Sequence, residues 1–141
     1  MKRLGIYFFF DKDGIVDKYV DYVLEDLTKH VDKLIVVCNG QLNERGRKTF
    51  EKFTGNIIVR ENKGFDVWAY KTAIDSEGWN KLIEYDEIIL MNYTIMGPVY
   101  PLKEMFDIMD KRLELDFWGI TKGFQENSPV VQQAVAGLYR S

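Results

Sequence analysis

A chain of 141 residues that is 46% hydrophobic can bury a core as one domain without crosslinks, and its 14% aromatic content argues against disorder. The single cysteine, Cys38, excludes an internal disulfide and a cysteine-rich zinc site and points to a reducing, cytoplasmic setting, while the single histidine, His30, excludes a histidine metal cage. A formal net charge of −3 gives no electrostatic reason to expect nucleic acid as a partner, and no apolar run approaches the roughly 20 residues that a membrane span requires.

The basic start, Met1-Lys2-Arg3, is followed by an apolar run too short for a signal peptide, cut by Asp11-Lys12-Asp13 with no small-residue cleavage site, so Leu4–Phe10 reads as a strand covered on both faces. Asp13 is the expected cap of a helix that carries Ile15, Val16, Tyr19, Val20, Val23, Leu24 and Leu27 along one face. Leu34–Val37 is a second buried strand closing with Cys38-Asn39-Gly40, and the polar run Asn43–Lys52, with Phe50 and Phe53, predicts a surface helix ended by Gly55. A third strand over Asn56–Arg60, a helix over Phe65–Asp75, a short turn with Trp79, Leu82 and Ile83, and a fourth strand over Glu87–Met91 follow. Beyond Gly97-Pro98, the spacing of Leu102, Met105, Phe106 and Met109 predicts another amphipathic helix, then Phe117–Ile120 a strand, Gln125–Ser128 a loop and Pro129–Leu138 a short helix with Pro129 in its first turn.

Strands alternating with helices at this spacing predict an α/β domain, a mostly parallel sheet with helices on both faces, whose ligands sit at the carboxyl ends of the strands. The polar groups of interest fall there: Asp11 and Asp13 after the first strand, Asn39 after the second, Arg60 to Asp66 after the third, and Asn92, Tyr93 and Thr94 after the fourth. Taken singly, each is ordinary turn chemistry. Jointly they are more informative, because Asn62-Lys63-Gly64 places an amide, a cation and a flexible backbone where a helix begins, which suits an anionic or polyhydroxylated ligand. No Gly-x-Gly-x-x-Gly follows the first strand, which excludes a dinucleotide fingerprint. Trp68 and Tyr70 either line the cleft or, as is commoner for aromatics in a helix packed on a sheet, belong to the core; Cys38 reads as a small hydrophobe, and His30 as an exposed helix-end residue on the edge opposite the candidate site.

Glu61-Asn62-Lys63-Gly64-Phe65-Asp66-Val67-Trp68-Ala69-Tyr70, then Ile89-Leu90-Met91-Asn92-Tyr93-Thr94-Ile95-Met96-Gly97-Pro98-Val99-Tyr100-Pro101-Leu102, then Asp116-Phe117-Trp118-Gly119-Ile120-Thr121, resemble the rhamnan synthesis protein F family over most of residues 1–122. That family is associated with bacterial rhamnose-containing cell-wall polysaccharide and lipopolysaccharide, and is distantly similar to inverting glycosyltransferases of the GT-A type. The resemblance implies a Rossmann-like GT-A nucleotide-sugar-binding sandwich, a nucleotide-sugar donor, a glycan acceptor, and a cytoplasmic location peripheral to the inner face of the membrane. It further implies that Phe9, Phe10 and Asp11 border the nucleotide base, that Asn62, Lys63, Gly64 and Asp66 border the ribose and diphosphate, and that Asn92 lies near the sugar or a metal ion.

The chain departs from that family at two places. Tyr93 stands where an Asn-Asp-Ser-like triplet supplies a carboxylate, and tyrosine does not replace a carboxylate for magnesium or manganese, so metal dependence is doubtful and Asp66 with Asn92 is the remaining candidate pair. The chain also ends about twenty residues after Trp118-Gly119, where the acceptor half of a GT-A enzyme would begin, so residues 1–141 are expected to form a single donor-binding domain without that half. No residue stands out as a general base. The sequence therefore supports a rhamnosyltransferase-like enzyme first, and second a noncatalytic module of polysaccharide assembly that retains the fold.

Overall fold

The computed structural model describes residues 1–120 and the backbone of residues 137–140. Five strands form one sheet: β1 (Arg3–Asp11), β2 (Lys33–Gly40), β3 (Ile57–Arg60), β4 (Glu87–Asn92) and β5 (Gly137–Arg140). Their spatial order is β3-β2-β1-β4-β5, the first four parallel and β5 antiparallel to β4. The helices are α1 (Lys18–Leu27), α2 (Glu44–Glu51), α3 (Phe65–Glu77), the single turn α4 (Trp79–Leu82) and α5 (Leu102–Met109).

The alternation of side chains along β1 explains why its sequence is almost continuously apolar. Tyr7 and Phe9 face a cluster with Val20, Val23, Leu24 and Leu27 of α1, Phe50 of α2 and Phe106 of α5. Leu4, Ile6 and Phe8 face the opposite cluster, which holds Ala69 and Ala73 of α3, Leu82 of α4 and Tyr85. Each fully buried aliphatic side chain of this kind contributes about 1.5–3 kcal/mol. The helices thus cover both faces, and the fold is α/β and Rossmann-like. From β1 the chain steps outward through β2 to β3 with α1 and α2 on one face, then returns under α3 on the other face to place β4 on the far side of β1. That reversal puts the switch in strand order between the carboxyl ends of β1 and β4, where open sheets of this kind have a crevice.

Three sequence expectations need correction. Asp13 does not cap α1: the helix begins at Lys18 with Asp17 in the cap position and no side-chain cap bond. The local bonding is done by Asp11, whose Oδ2 accepts from the amides of Asp13 (2.8 Å) and Ile15 (2.9 Å), so Ile15 and Val16 belong to a folded loop. Phe117–Ile120 is not a strand; Trp118 is buried, but to reach Glu87 rather than to join the sheet. Of the predicted helix Pro129–Leu138, residues 129–136 lie outside the described residues, as does the Gln125–Ser128 loop, while Gly137 and Leu138 belong to β5.

Charged groups at the amino edge hold the base of the sheet. Arg3 and Glu87 are register partners on adjacent strands and form an ion pair, Arg3 also bonds Asp110 at the end of α5, and its guanidinium lies 4.6 Å from the Phe106 ring centroid. Trp118 Nε1 donates to the second Glu87 oxygen at 3.1 Å. On the other face, Glu77 accepts from Lys33 (2.6 Å) and Tyr85 (3.0 Å). Burial alone would raise the Glu77 carboxyl, but these two bonds and the charge of Lys33 outweigh it and hold the group below the ordinary glutamate range.

One core group lacks a partner: among the described residues the buried Tyr7 hydroxyl makes no hydrogen bond, and burial pushes its ionisation far above the usual tyrosine value. A desolvated hydroxyl without a partner is a net cost. Tyr7→Phe is therefore expected to be neutral or to stabilise the fold by up to about 1 kcal/mol, read from denaturant melts. A loss of more than that would mean the hydroxyl is bonded.

Candidate functional site

Four segments meet at the carboxyl edge of the parallel strands, and two sets of side-chain contacts tie them together. The first is centred on Asn39 at the end of β2, which is fully buried yet has its whole amide engaged. Asn39 Oδ1 accepts from Arg60 Nη1 at 2.7 Å, and Asn39 Nδ2 donates to the Phe65 carbonyl at 3.1 Å and, weakly, to Asn62 Oδ1 at 3.4 Å. Arg60 Nη1 also donates to the Lys63 carbonyl at 3.0 Å. The turn from Glu61 to Phe65 is thereby pinned from below by one amide and one guanidinium. Lys63 is left on the surface, where among the described residues its ammonium meets only the exposed Glu61 at 3.0 Å, a contact of little energy and easily exchanged for a ligand.

The second set spans the crevice. Asp66, in the first turn of α3, accepts from Asn92 Nδ2 at the end of β4 over 3.1 Å, and Asn92 Oδ1 accepts from the Thr94 amide at 3.1 Å. The two residues named from sequence as a possible cation pair therefore do touch. As a hard-cation site the set is nevertheless thin: it holds one carboxylate, the amide oxygen is already engaged, and among the described residues no group of three acidic, histidine or cysteine side chains is arranged to hold a metal. These residues do not fit a resident magnesium or manganese ion.

The backbone of this turn is unusual. Gly64, the residue that opens α3, has φ +70°, and an added Cβ would lie 2.1 Å from Cγ and 2.3 Å from Cδ2 of Trp68, so the indole is seated directly on the glycine. Phe65 follows with φ 53°, the left-handed region that costs a bulky residue about 1–2 kcal/mol, and its side chain is 83% exposed. Phe65 and Trp68 escape a reading based on periodicity. The sheet-facing positions of α3 are the small Ala69 and Ala73, which leaves Trp68, expected to be core, 54% exposed; Tyr70 is half-buried with its ring against Phe8.

Not every sequence candidate lies in the crevice. Phe9 is buried in the core, its ring in edge contact with Phe50 and Tyr93, and so is no stacking platform. Phe10, on the opposite face, is half-buried and stands beside Gly40 at the end of β2. Asp11 is occupied in shaping its own loop. The Tyr93 ring packs against both Phe8 and Phe9, at 5.6 and 5.8 Å between centroids, and its carbonyl accepts from the Tyr19 hydroxyl at 2.8 Å. Tyr93 thus closes the core beneath the crevice. Thr94 remains exposed beside Asn92. Cys38 is enclosed in the core, where burial pushes its thiol up to about 12, so it has no nucleophilic character. His30 lies at the other edge, half-buried against Phe106 at 5.0 Å; burial lowers its ionisation.

The family model for rhamnan synthesis protein F matches residues 34–136, from β2 past α5. The chain belongs to the rhamnan synthesis protein F family. No curated protein matches it. The matched span holds all the contacts of both sets, from Asn39 through Thr94, and leaves out Phe9, Phe10 and Asp11 of β1. Membership associates the protein with synthesis of a polysaccharide. Among the described residues no helix is long and apolar enough to cross a membrane.

Proposed function

We propose that the chain is the donor-binding domain of a GT-A-type glycosyltransferase that moves a sugar, of the rhamnose class, from a nucleotide diphosphate to a bacterial cell-wall or lipopolysaccharide glycan. The observation that carries this reading is that Arg60, Asn62, Lys63, Asp66 and Asn92 share the carboxyl edge of the sheet, on a turn held by the buried Asn39 and joined to the end of β4 by the Asp66–Asn92 bond. In such a transfer the bond from the anomeric carbon to the diphosphate breaks as a bond to an acceptor hydroxyl forms, and charge develops on the departing diphosphate. Lys63, free to leave Glu61, and the Arg60 guanidinium are cations suited to that charge. Asp66 takes the Val67 amide at 2.9 Å and places a negative charge in the first turn of α3, so the phosphates are better met by these two side chains than by the helix terminus itself. The Asp66–Asn92 pair offers an acceptor and a donor to sugar hydroxyls.

Titrating UDP and dTDP calorimetrically against the protein and a Lys63→Ala variant tests the assignment. The variant is expected to bind about tenfold more weakly, the loss of one charge-assisted hydrogen bond, and chelating divalent ions is expected to change the wild-type affinity less than that. Binding by neither protein, or equal binding by both, would count against the site. A second reading, a noncatalytic module of polysaccharide assembly, is favoured by the Tyr93 ring, which fills the core where relatives are expected to carry a carboxylate. Release of nucleoside diphosphate from a nucleotide sugar in the presence of acceptor glycan separates the two.

A further inference from the structure

A groove opens beside the crevice and shares Arg60 with it. It lies between the edge strand β3 and α3, and is lined by Arg60, Trp68, Lys71, Thr72 and Asp75. Its aromatic member is fixed in place: the pyrrole side of the Trp68 indole rests on the Gly64 backbone, so close that no Cβ fits between them, and the side chain is still 54% exposed. A large aromatic ring left half-exposed has apolar area still to bury against a ligand, and here its orientation is set by a glycine in a backbone conformation that other residues avoid.

The groups around the ring are of both signs. Lys71 and Asp75 form an exposed ion pair one helical turn apart, and the Thr72 hydroxyl donates to the Trp68 carbonyl at 2.8 Å while keeping its lone pairs. Arg60 enters from β3. Its Nη1 serves Asn39 and the Lys63 carbonyl, and among the described residues its Nε and Nη2 make no hydrogen bond. A half-exposed indole flanked by donors and acceptors of both signs matches a pyranose ring, which has an apolar C–H face and a rim of hydroxyls that both give and accept hydrogen bonds. It matches a phosphate-bearing ligand less well, since Lys71 is already paired with Asp75 and Arg60 Nη1 is engaged by Asn39 and the Lys63 carbonyl.

We propose that this groove is a subsite for a pyranose unit of the glycan chain, stacked on Trp68 and hydrogen-bonded by Arg60, Lys71 and Asp75. The proposal rests on the polysaccharide reading and extends it. Because Arg60 lines the groove and also braces the turn of the crevice, an occupied groove would lie next to the nucleotide site, as an acceptor chain or a growing product must.

The test uses the 141-residue chain and a rhamnose trisaccharide as probe. The indole N–H resonance of Trp68, assigned by its disappearance in Trp68→Phe, should shift on addition of trisaccharide, whereas those of Trp79 and Trp118 should not. Trp68→Ala should weaken trisaccharide binding at least tenfold and change UDP and dTDP binding less than twofold. Absence of any Trp68 shift at millimolar trisaccharide overturns the proposal. So does a Trp68→Ala variant that loses nucleotide affinity and keeps trisaccharide affinity, which would assign the ring to the base of the donor. Trisaccharide binding at Trp68 with no nucleotide binding at all would leave the groove standing and sink the donor site instead, so the two readings fail separately.

Discussion

Glu87→Ala is expected to cost about 3–5 kcal/mol, the penalty for removing one partner of a buried ion pair, and about 10–17 °C in Tm for a domain of this length. Glu87 is 0% exposed, and its Arg3 partner's side chain is 8% exposed, so the guanidinium left behind cannot be rehydrated without opening the base of the sheet. The same substitution also strands the indole N–H of Trp118, which points at the second carboxylate oxygen. Asp110 keeps one bond to Arg3 but sits at the rim, 37% exposed, where its charge is screened. The asymmetry of buried pairs supplies a sharper check. The double variant Arg3→Met, Glu87→Leu, which removes both charges and fills the space with apolar atoms, is expected to recover the part of the loss due to the stranded guanidinium, because such pairs are close to neutral against well-packed hydrophobic replacements, while the Trp118 indole N–H still lacks its acceptor. Chemical denaturation of the three proteins measures both effects. A single substitution costing under about 1 kcal/mol would show that water reaches this cluster.

The difference between what the sequence announces and what it conceals is visible in particular residues. The continuous apolar run Leu4–Phe10 shows that β1 is covered on both sides, and the polar stretches that stop β2, β3 and β4 place the candidate site on one edge, because these features depend on local pattern alone. The network at the amino edge was hidden, although a trace of it exists: Arg3 and Glu87 both open apolar strands and carry opposite charges, which adjacent parallel strands in register bring together. Phe117–Ile120 looks like a strand because a short apolar run does not reveal whether it pairs with a sheet or packs a single side chain against one. The exposure of Trp68 is concealed for a different reason. Hydrophobic periodicity gives weight to large residues, whereas α3 meets the sheet through Ala69 and Ala73 and turns its tryptophan outward. The roles of Asn39 and Arg60 could be suspected from their place at strand ends, but not their mutual bond, which depends on how far β3 slides along β2. Their register match, Asn39 with Arg60, is what puts the guanidinium beside the amide.

Gly64→Ala is expected to disable the nucleotide crevice and the Trp68 groove together. The residue has φ +70°, a conformation that costs an L-residue with a Cβ about 1–2 kcal/mol before any contact is considered. The new methyl would also stand 2.1 to 2.6 Å from three atoms of the Trp68 indole, a separation no real pair of carbons tolerates, so the ring must leave its seat. Relaxation by the backbone is resisted on the next residue, because the Phe65 carbonyl is held by Asn39 and Phe65 already lies at positive φ. The sum of strain and lost packing is about 2–4 kcal/mol, in the range of substitutions at special backbone positions. Binding of UDP, dTDP and the rhamnose trisaccharide should each weaken tenfold or more, since Arg60 and Lys63 are placed by the turn that would be displaced. Gly55→Ala is the matched control: a Cβ there meets nothing within 4 Å, and the substitution is expected to lie within about 0.5 kcal/mol of wild type. Melts and titrations of both variants decide the matter. If Gly64→Ala is no more costly than Gly55→Ala, the indole is not seated on the glycine, and the rigidity assigned to the turn, on which both sites depend, is lost with it.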